Sequence, residues 1–516
     1  MRQFVLLMIL RLCFSWSDKM EIVRKYVEKF NMNDEETHKN LIDNRHAYEW
    51  LKNEIPLFEC PDKEIEETYY FRYWTYRKHL KMTEDGYIVT EFLPKVSWSG
   101  RHNEINAAAG HHLAEGRWLR NSKTYLTDYV NFFLDHSDRG HQYSTWMIYA
   151  VYRFCEVTGD FDMGDGFLEK ASAYYEEWER THLLPNGLFW SYDNYDAMEY
   201  SISGTDAKEG TLPGIRPTLN SYMCADAWAI AKFAARSGNK ELEKKYKEKH
   251  ERLKTLINEH LYKDGFYRAF SFKKENRDAS AAEMTAHPAI IPPKELIGYI
   301  PYMFGIPERD KSDVFLLLTD KNCFYTEFGI ATADVTDERY LYKVDHECLW
   351  NGYIWPFATS QTLTAMGENL KREGGTETQK QNFYDLLKQY AASHKRLTEK
   401  GKIVNWIDEV RNPKKDEWSS REILKERGWK TEYGGYERGK DYNHSTFCDI
   451  VISYLLGISV KDGTLTVSPN LPASWDHCKL ENLYVLGDTY SVFYDKTGEK
   501  YHKGVGLAVY KNGVRL

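Results

Sequence analysis

The chain has 516 residues and a net charge of −8, with 69 Lys and Arg against 77 Asp and Glu, so it carries no basic footprint for nucleic acid. Its length allows either several average domains or one large helical barrel with an appendage. Aromatic residues make up 15 %, including 38 Tyr and 15 Trp. That is more than packing requires, and aromatic-rich concave sites hold sugar rings through apolar faces with polar handles.

In chain order, Met1-Arg2 followed by the apolar run Phe4 to Leu10 reads as a signal peptide over residues 1–19. The expectation is export, to periplasm or medium; a start at Met20 would instead leave the protein cytoplasmic. No other apolar run is long enough to span a membrane. Apolar residues then recur at helical spacing over 119–135, 143–158, 164–181, 221–238, 240–260, 357–369 and 380–398. Between them run long segments rich in Gly, Pro, Asn and aromatics: 94–106, 185–220, 264–309, 319–356 and 401–442. Helices alternating with long loops predict one large all-α domain over 20–457. After Gly457 the texture becomes short alternating strands, at 464–467, 490–494 and 505–510, with turns at 461–463, 496–498 and 511–513. The expectation for 458–516 is a small β-rich segment packed on the helical body. The 8 cysteines show no metal-ligand spacing. Cys155 and Cys448 lie in apolar helical runs, as buried free thiols do.

Two segments set carboxylates among aromatic, Gly, Pro and Asn neighbours instead of along a lysine-laced helix. They are Tyr195-Asp196-Ala197-Met198-Glu199-Tyr200-Ser201 and Asn405-Trp406-Ile407-Asp408-Glu409-Val410-Arg411-Asn412-Pro413. Glycoside hydrolysis uses such a pair, one group held as an acid and one as a carboxylate, on opposite sides of a sugar. Other segments suit a sugar pocket. In the run Tyr69 to Arg77, helical spacing puts Arg72 and Tyr76 on one face, as ligand contacts or as a structural layer. The stretch Glu91 to Asn103 reads as a substrate-facing loop, with Trp98 as a stacking face and Arg101, His102 and Asn103 as hydroxyl partners. Arg216 and Asn220 open a helix and face the pocket, unless Asn220 serves as the N-cap. Glu327 and Glu347 are further sugar ligands in the long loop before Trp350. Gly110-His111-His112 lacks the spacing of a zinc site, so no metal is expected.

Several blocks, in order over roughly residues 60 to 460, resemble the six-hairpin (α/α)6 glycosidases, close to the mannosylglycerate hydrolase and family 63 glucosidase group. Gly187-Leu188-Phe189-Trp190 before Ala197-Met198-Glu199-Tyr200-Ser201 resembles the block that carries that group's general acid. The resemblance puts Glu199 on the acid position, with Glu in place of Asp and Asp196 as competitor. Trp350-Asn351-Gly352-Tyr353-Ile354-Trp355-Pro356 resembles a second block, with Asn351 where the group has arginine. Glu409-Val410-Arg411-Asn412-Pro413 resembles the block whose Glu is the general base, and Asp441 to Thr446 resembles the start of the group's final helix.

The resemblance implies a mainly α (α/α)6 toroid with a small C-terminal β appendage, acting as an inverting, exo-acting glycosidase on a carbohydrate. It implies no cofactor. Glu199 would be the acid, and Glu409 the base with Arg411 as electrostatic partner; Asp408 inherits the role if Glu409 points away. Trp190, Trp350, Asn351, Trp355, Trp406 and His444 would help to build the sugar site. Two other readings remain open. One is a sugar epimerase or isomerase on the same scaffold, using His111, His112 and His287; the other is a non-catalytic carbohydrate-binding protein.

Overall fold

The structure, a computed structural model, describes residues 21–206, 210–273, 285–286, 292–308, 311–431 and 434–516. The segment read as a signal peptide, Cys13 and His287 lie outside the described residues.

Among the described residues, six helical segments pack each against the next and close a ring: Ala109–Gly116, Met147–Thr158, Pro217–Ser237, Ile300–Met303, Pro356–Glu373 and the final pair Phe447–Ile450 and Val451–Leu455. Outside them lie Ser122–Asp135, Phe167–His182, Lys240–His260, the 3-10 segment Ser312–Leu318, Glu377–Ala392 and Lys63–His79. This is the (α/α)6 toroid. Composition separates the two layers. The inner helix Pro217–Ser237 buries 15 of its 21 residues and is built from Ala, Cys, Met and Tyr. Its partner Lys240–His260 buries Tyr246, Leu253 and Ile257 and gives its other faces to Lys and Glu, the pattern of an outer amphipathic helix. Pro217 and Pro356 sit in the first turns of inner helices, where a missing N–H costs nothing. Gly238 ends the Pro217–Ser237 helix at φ 78°, a left-handed cap that other residues adopt at a cost.

Lys63–His79 corrects the reading of its aromatic-basic run as pocket wall. The helix is sandwiched between the ring and the N-terminal segment, and 14 of its 17 residues are buried. Arg72 bonds Thr75 at 2.8 Å and reaches the Tyr442 carbonyl at 3.4 Å, and Tyr76 donates to the His112 carbonyl at 3.0 Å. Arg77 bonds the Ile42 carbonyl, and Lys78 pairs with Asp34 and Asp441 at 2.7 Å. These charges staple an outer layer to the ring.

Ends of the expected helices match to within a few residues except at 380–398, while Ala109–Gly116 was not expected and Ile300–Met303 and Ser419–Glu426 are helical within segments read as loops. The run expected as helix over 380–398 stops at Ala392, and Lys395–Leu397 pairs with Ile403–Asn405 as a hairpin. That hairpin aims the chain at the second acidic segment. Beyond the ring, Ile458–Lys461 and Thr464–Val467 form a hairpin. His477–Val485, Asp488–Asp495, Gly506–Lys511 and Val514–Arg515 form a meander whose other edge is Leu57–Glu59. Cys155 and Cys448 are buried free thiols. Among the described residues no helix is long and apolar enough to cross a membrane.

Candidate active site

Each inner helix begins where a long loop ends, so these loops gather at one end of the ring. Five of them line a cavity of about 370 Å³ accessible to water, the scale of a small-ligand pocket. Its wall carries Glu91, Trp98, Tyr143, Glu199, Glu347, Cys348, Trp355, Glu409, Trp429, Arg438, Tyr442 and His444, among others. A second cavity, about 40 Å³, lies deeper among the inner helices between Arg117, Arg153, Glu368 and Asp449, with room for little more than water.

The first acidic segment reaches the cavity through a short sheet and a strained turn. Trp190–Tyr192 pairs with Pro213–Ile215, and the chain then folds back on itself, the Met198 N–H donating to the Asp193 carbonyl at 3.0 Å. Ala197 at φ 55° and Tyr200 at φ 62° bracket Glu199, two non-glycine residues in the left-handed region. Such strain persists where the surroundings over-determine it, commonly at functional sites. Ser144 and Arg216 hold the segment from below through Asp196, each at 2.6 Å, with Thr218 as a third partner. Asp196 is therefore consumed by structure, which removes it as competitor. Glu199 is half-buried on the cavity wall with no arginine or lysine pairing with it among the described residues. Burial pushes its carboxyl up to about 8, and the charges of Asp193, Glu409 and Glu91 push the same way.

The second segment repeats the division of labour. Asp408 accepts from the Glu409 N–H and the Ser420 hydroxyl, both at 2.9 Å, and from the Trp406 indole at 3.3 Å. Gly439 passes so close that a Cβ there would stand 2.1 Å from Asp408 Oδ1. Glu409 faces the cavity and is nearly fully buried, its Oε2 3.1 Å from Arg438 Nη2. Burial pushes its carboxyl up to about 7, with the Arg438 guanidinium the main force holding it down. The electrostatic partner is thus Arg438 and not Arg411, which pairs with Asp416 and reaches the Ser393 and Lys395 carbonyls. Arg438 is boxed by Trp98 at 4.7 Å and Trp429 at 5.2 Å, and its Nη1 lies 3.1 Å from Glu347.

Backbone bonds join the blocks. The Trp350 N–H donates to the Glu199 carbonyl at 3.2 Å. Ile354 and Arg411 exchange a pair of bonds at 2.9 and 3.0 Å, and the Asp441 N–H donates to the Ile407 carbonyl at 3.0 Å. Acid block, tryptophan block, base block and final-helix start are one hydrogen-bonded rim.

Of the residues expected at the sugar, Glu199, Glu347, Glu409, Trp98, Trp355 and His444 line this cavity. The others are corrected, each by a partner that holds it elsewhere. Arg101 is exposed and pairs with Asp85, as does His102 at 2.6 Å. Asn103, at φ 65°, braces its own loop, its amide donating to the Phe92 and Pro94 carbonyls. Trp190 stacks on His182 with ring centres 5.0 Å apart. Arg216 serves Asp196, and Asn220 clasps the backbone of Phe189 at 2.8 Å through both N–H and carbonyl, instead of capping a helix. Trp350 lies behind Trp355, stacked at 4.5 Å. Asn351 is fully buried and donates to the Tyr342 carbonyl at 2.7 Å. Trp406 packs under Arg396. Arg72 and Tyr76 belong to the outer layer described above.

His111 is wedged against Trp146 and Phe357, and His112 bonds Tyr129 and the Asn443 carbonyl; burial holds both rings well below the usual imidazole range. His346, Glu347 and Cys348 bring a ring nitrogen, a carboxylate and a thiol within 4.8 Å of one another. Glu347 is already paired with Arg427 and Arg438, and His346 Nδ1 accepts the Cys348 N–H at 3.0 Å, so these donors are engaged with protein. Sequence reasoning did not single out Tyr143, Cys348, Trp429, Arg438 or Tyr442. Arg438 lay in the Gly- and aromatic-rich segment 401–442, with no spacing to mark it.

A closed ring of six hairpins with two carboxyl groups on one cavity at its loop end defines a six-hairpin glycosidase architecture. The chain belongs to the family of mannosylglycerate hydrolase MGH1-like glycoside hydrolase domains, whose model matches residues 101–445. A solved structure called a sialidase is 32 % identical and superposes with a TM-score of 0.84 over 96 % of this chain, which spans 43 % of that longer protein. The α-L-rhamnosidase from Dictyoglumus thermophilum (TM-score 0.51, 14 % identity, 86 % of this chain and 43 % of that one) shares the fold. So does the family 78 rhamnosidase of Bacillus sp. GL1 (TM-score 0.52, 11 % identity, 85 % of this chain and 40 % of that one). No curated protein matches the chain.

Proposed function

We propose that the protein is an inverting, exo-acting glycosidase that releases a terminal neutral sugar, with Glu199 as general acid and Glu409 as general base. The observation that carries this reading is an asymmetry within one cavity. Both carboxyls face it, yet only Glu409 has a guanidinium beside it. A carboxyl without a cation keeps its proton and can donate it to the leaving oxygen; one whose ionised form is favoured by Arg438 can take a proton from water. In the inverting geometry that water stands between base and anomeric carbon. Trp98, Trp355 and Trp429 supply apolar faces for the ring.

The name of the 32 %-identical relative suggests an anionic sugar, but the charge of this cavity opposes it. Four carboxyl groups, Glu91, Glu199, Glu347 and Glu409, face it, and the arginine on its wall, Arg438, is already committed to two of them. A substrate carboxylate would find no uncommitted cation on this wall, whereas a neutral sugar meets hydroxyl partners. Turnover of a panel of aryl glycosides, neutral and sialylated, followed by NMR of the first-formed anomer, tests both parts. The expected product is a neutral sugar of inverted configuration. Retention, or turnover confined to sialosides, would overturn the reading.

A further inference from the structure

A third carboxyl on the cavity wall has no part in the chemistry described above. Glu91 lies two residues beyond the strand Gly86–Val89 and is only 6 % exposed. Its backbone is fixed to the start of the final helix: the Asn443 N–H donates to the Glu91 carbonyl at 3.2 Å, and the Asn443 side chain donates to the Thr90 carbonyl at 3.2 Å. Its Oε1 lies 3.3 Å from His444 Nε2, and His444 Nδ1 meets the Tyr442 hydroxyl. Among the described residues neither arginine nor lysine pairs with it. Glu347 and Glu409, on the same wall, both have arginine partners.

A buried carboxyl without a cation is expensive, and a fold that needed only packing there would be served as well by an apolar or amide side chain. Such costs are retained where the group meets a ligand. Burial pushes the Glu91 carboxyl up to about 8, opposed by a hydrogen bond from Tyr442 and by the charge of Arg438. His444, which burial holds well below the usual imidazole range, offers no compensating charge. Four further titratable groups feel its charge: Glu199, Glu409, Tyr143 and Tyr129. None of them is a cation.

We propose that Glu91 is the residue that selects the terminal sugar: its carboxyl, seated beside Tyr442 and His444 without a cation partner, donates a hydrogen bond to a ring hydroxyl of a neutral sugar held between Glu199 and Glu409. The inference rests on the glycosidase reading and adds a substrate-binding residue to it. A neutral carboxyl both donates and accepts, so it matches a hydroxyl as an ionised one cannot, and it repels the carboxylate of an acidic sugar once it ionises. A site built to bond a hydroxyl rejects an analogue that lacks it, because its buried polar group is then left unpaired.

The full chain is compared with its Glu91→Gln and Glu91→Ala variants across pH. Glutamine reproduces the neutral carboxyl as donor and acceptor, so below about pH 8 Glu91→Gln should raise KM by at least about fivefold less than Glu91→Ala, which should raise it roughly 30-fold with a smaller fall in kcat. In the unaltered protein KM should rise above about pH 8 as Glu91 ionises. That rise should vanish in Glu91→Gln, while the alkaline fall of kcat, which belongs to Glu199, remains. Calorimetry with neutral aldoses and their uronic acid counterparts needs no turnover. Neutral sugars should bind better, Glu91→Gln should keep that preference, and Glu91→Ala should lose binding. If Glu91→Gln costs kcat as much as Glu199→Gln, Glu91 is the acid and this inference fails together with the assignment of Glu199. If the rise of KM persists in Glu91→Gln, or uronic acids bind as well as neutral sugars, the inference fails and the glycosidase reading stands. Should Glu91→Ala not fold, the pH profile of Glu91→Gln decides.

Discussion

The two acidic segments solve the same problem in parallel and differ at one point. In each, an aspartate is spent on holding the loop: Asp196 on Ser144, Arg216 and Thr218, Asp408 on Ser420, Trp406 and the Glu409 N–H. In each, a glutamate one or three residues on is thereby presented to the cavity. The segments differ in what stands opposite that glutamate. Glu199 meets protein without a cation, and Glu409 meets Arg438. The same side chain on one cavity wall is thus left to burial in one loop and held back by a cation in the other. Role is set by the neighbour, not by the residue type.

Breaking either glutamate should have the largest effect. Glu199→Gln and Glu409→Gln should each lower kcat by about 10³-fold with the fold intact. Asp196→Ala should show instead in thermal unfolding, since it leaves Arg216 buried without its partner at a cost of about 3–5 kcal/mol. If Asp196→Ala removed activity while leaving the melting temperature unchanged, the division between holding and reacting carboxyls would be wrong.

A smaller effect sharpens the difference between the loops. With the base near 7 and the acid near 8, kcat should follow a narrow bell, falling below about pH 7 as Glu409 gains a proton and above about pH 8 as Glu199 loses one. Removing a cation raises a neighbouring carboxyl, so Arg438→Met should move the acid limb to higher pH and lower kcat at pH 7 by roughly 10-fold or more, leaving the alkaline limb in place. A shift of the alkaline limb alone would mean that Arg438 serves Glu199. The smallest change expected is for Arg101→Ala, which breaks an exposed pair with Asp85 and should alter kcat/KM by less than about threefold.

The helical period marked most of the outer helices and the inner helices Met147–Thr158, Pro217–Ser237 and Pro356–Glu373, but not the short inner segments Ala109–Gly116 and Ile300–Met303, which offer too few turns for a period to show. It failed at 393–398, where Leu397 falls in phase with the helical spacing of the preceding helix but belongs to a hairpin. Among site residues, Glu199 and Glu409 stood out through the order of blocks around them, and Trp98, Trp355 and His444 through their loops. Arg216, Asn220, Asn351 and Trp406 carried the same signals and serve as supports. A polar side chain in a loop has the same local signature whether it faces a cavity or clasps a backbone.

The sequence by itself determined the alternation of helix and loop, the strand-rich end and the carboxylates available for chemistry, since these follow from local periodicity and composition. Only the tertiary structure decided which carboxylate faces the cavity, and that Arg438, twenty-nine residues from Glu409 in the chain, is its partner. Burial and charge proximity depend on distances between segments remote in sequence, and no local pattern encodes those distances.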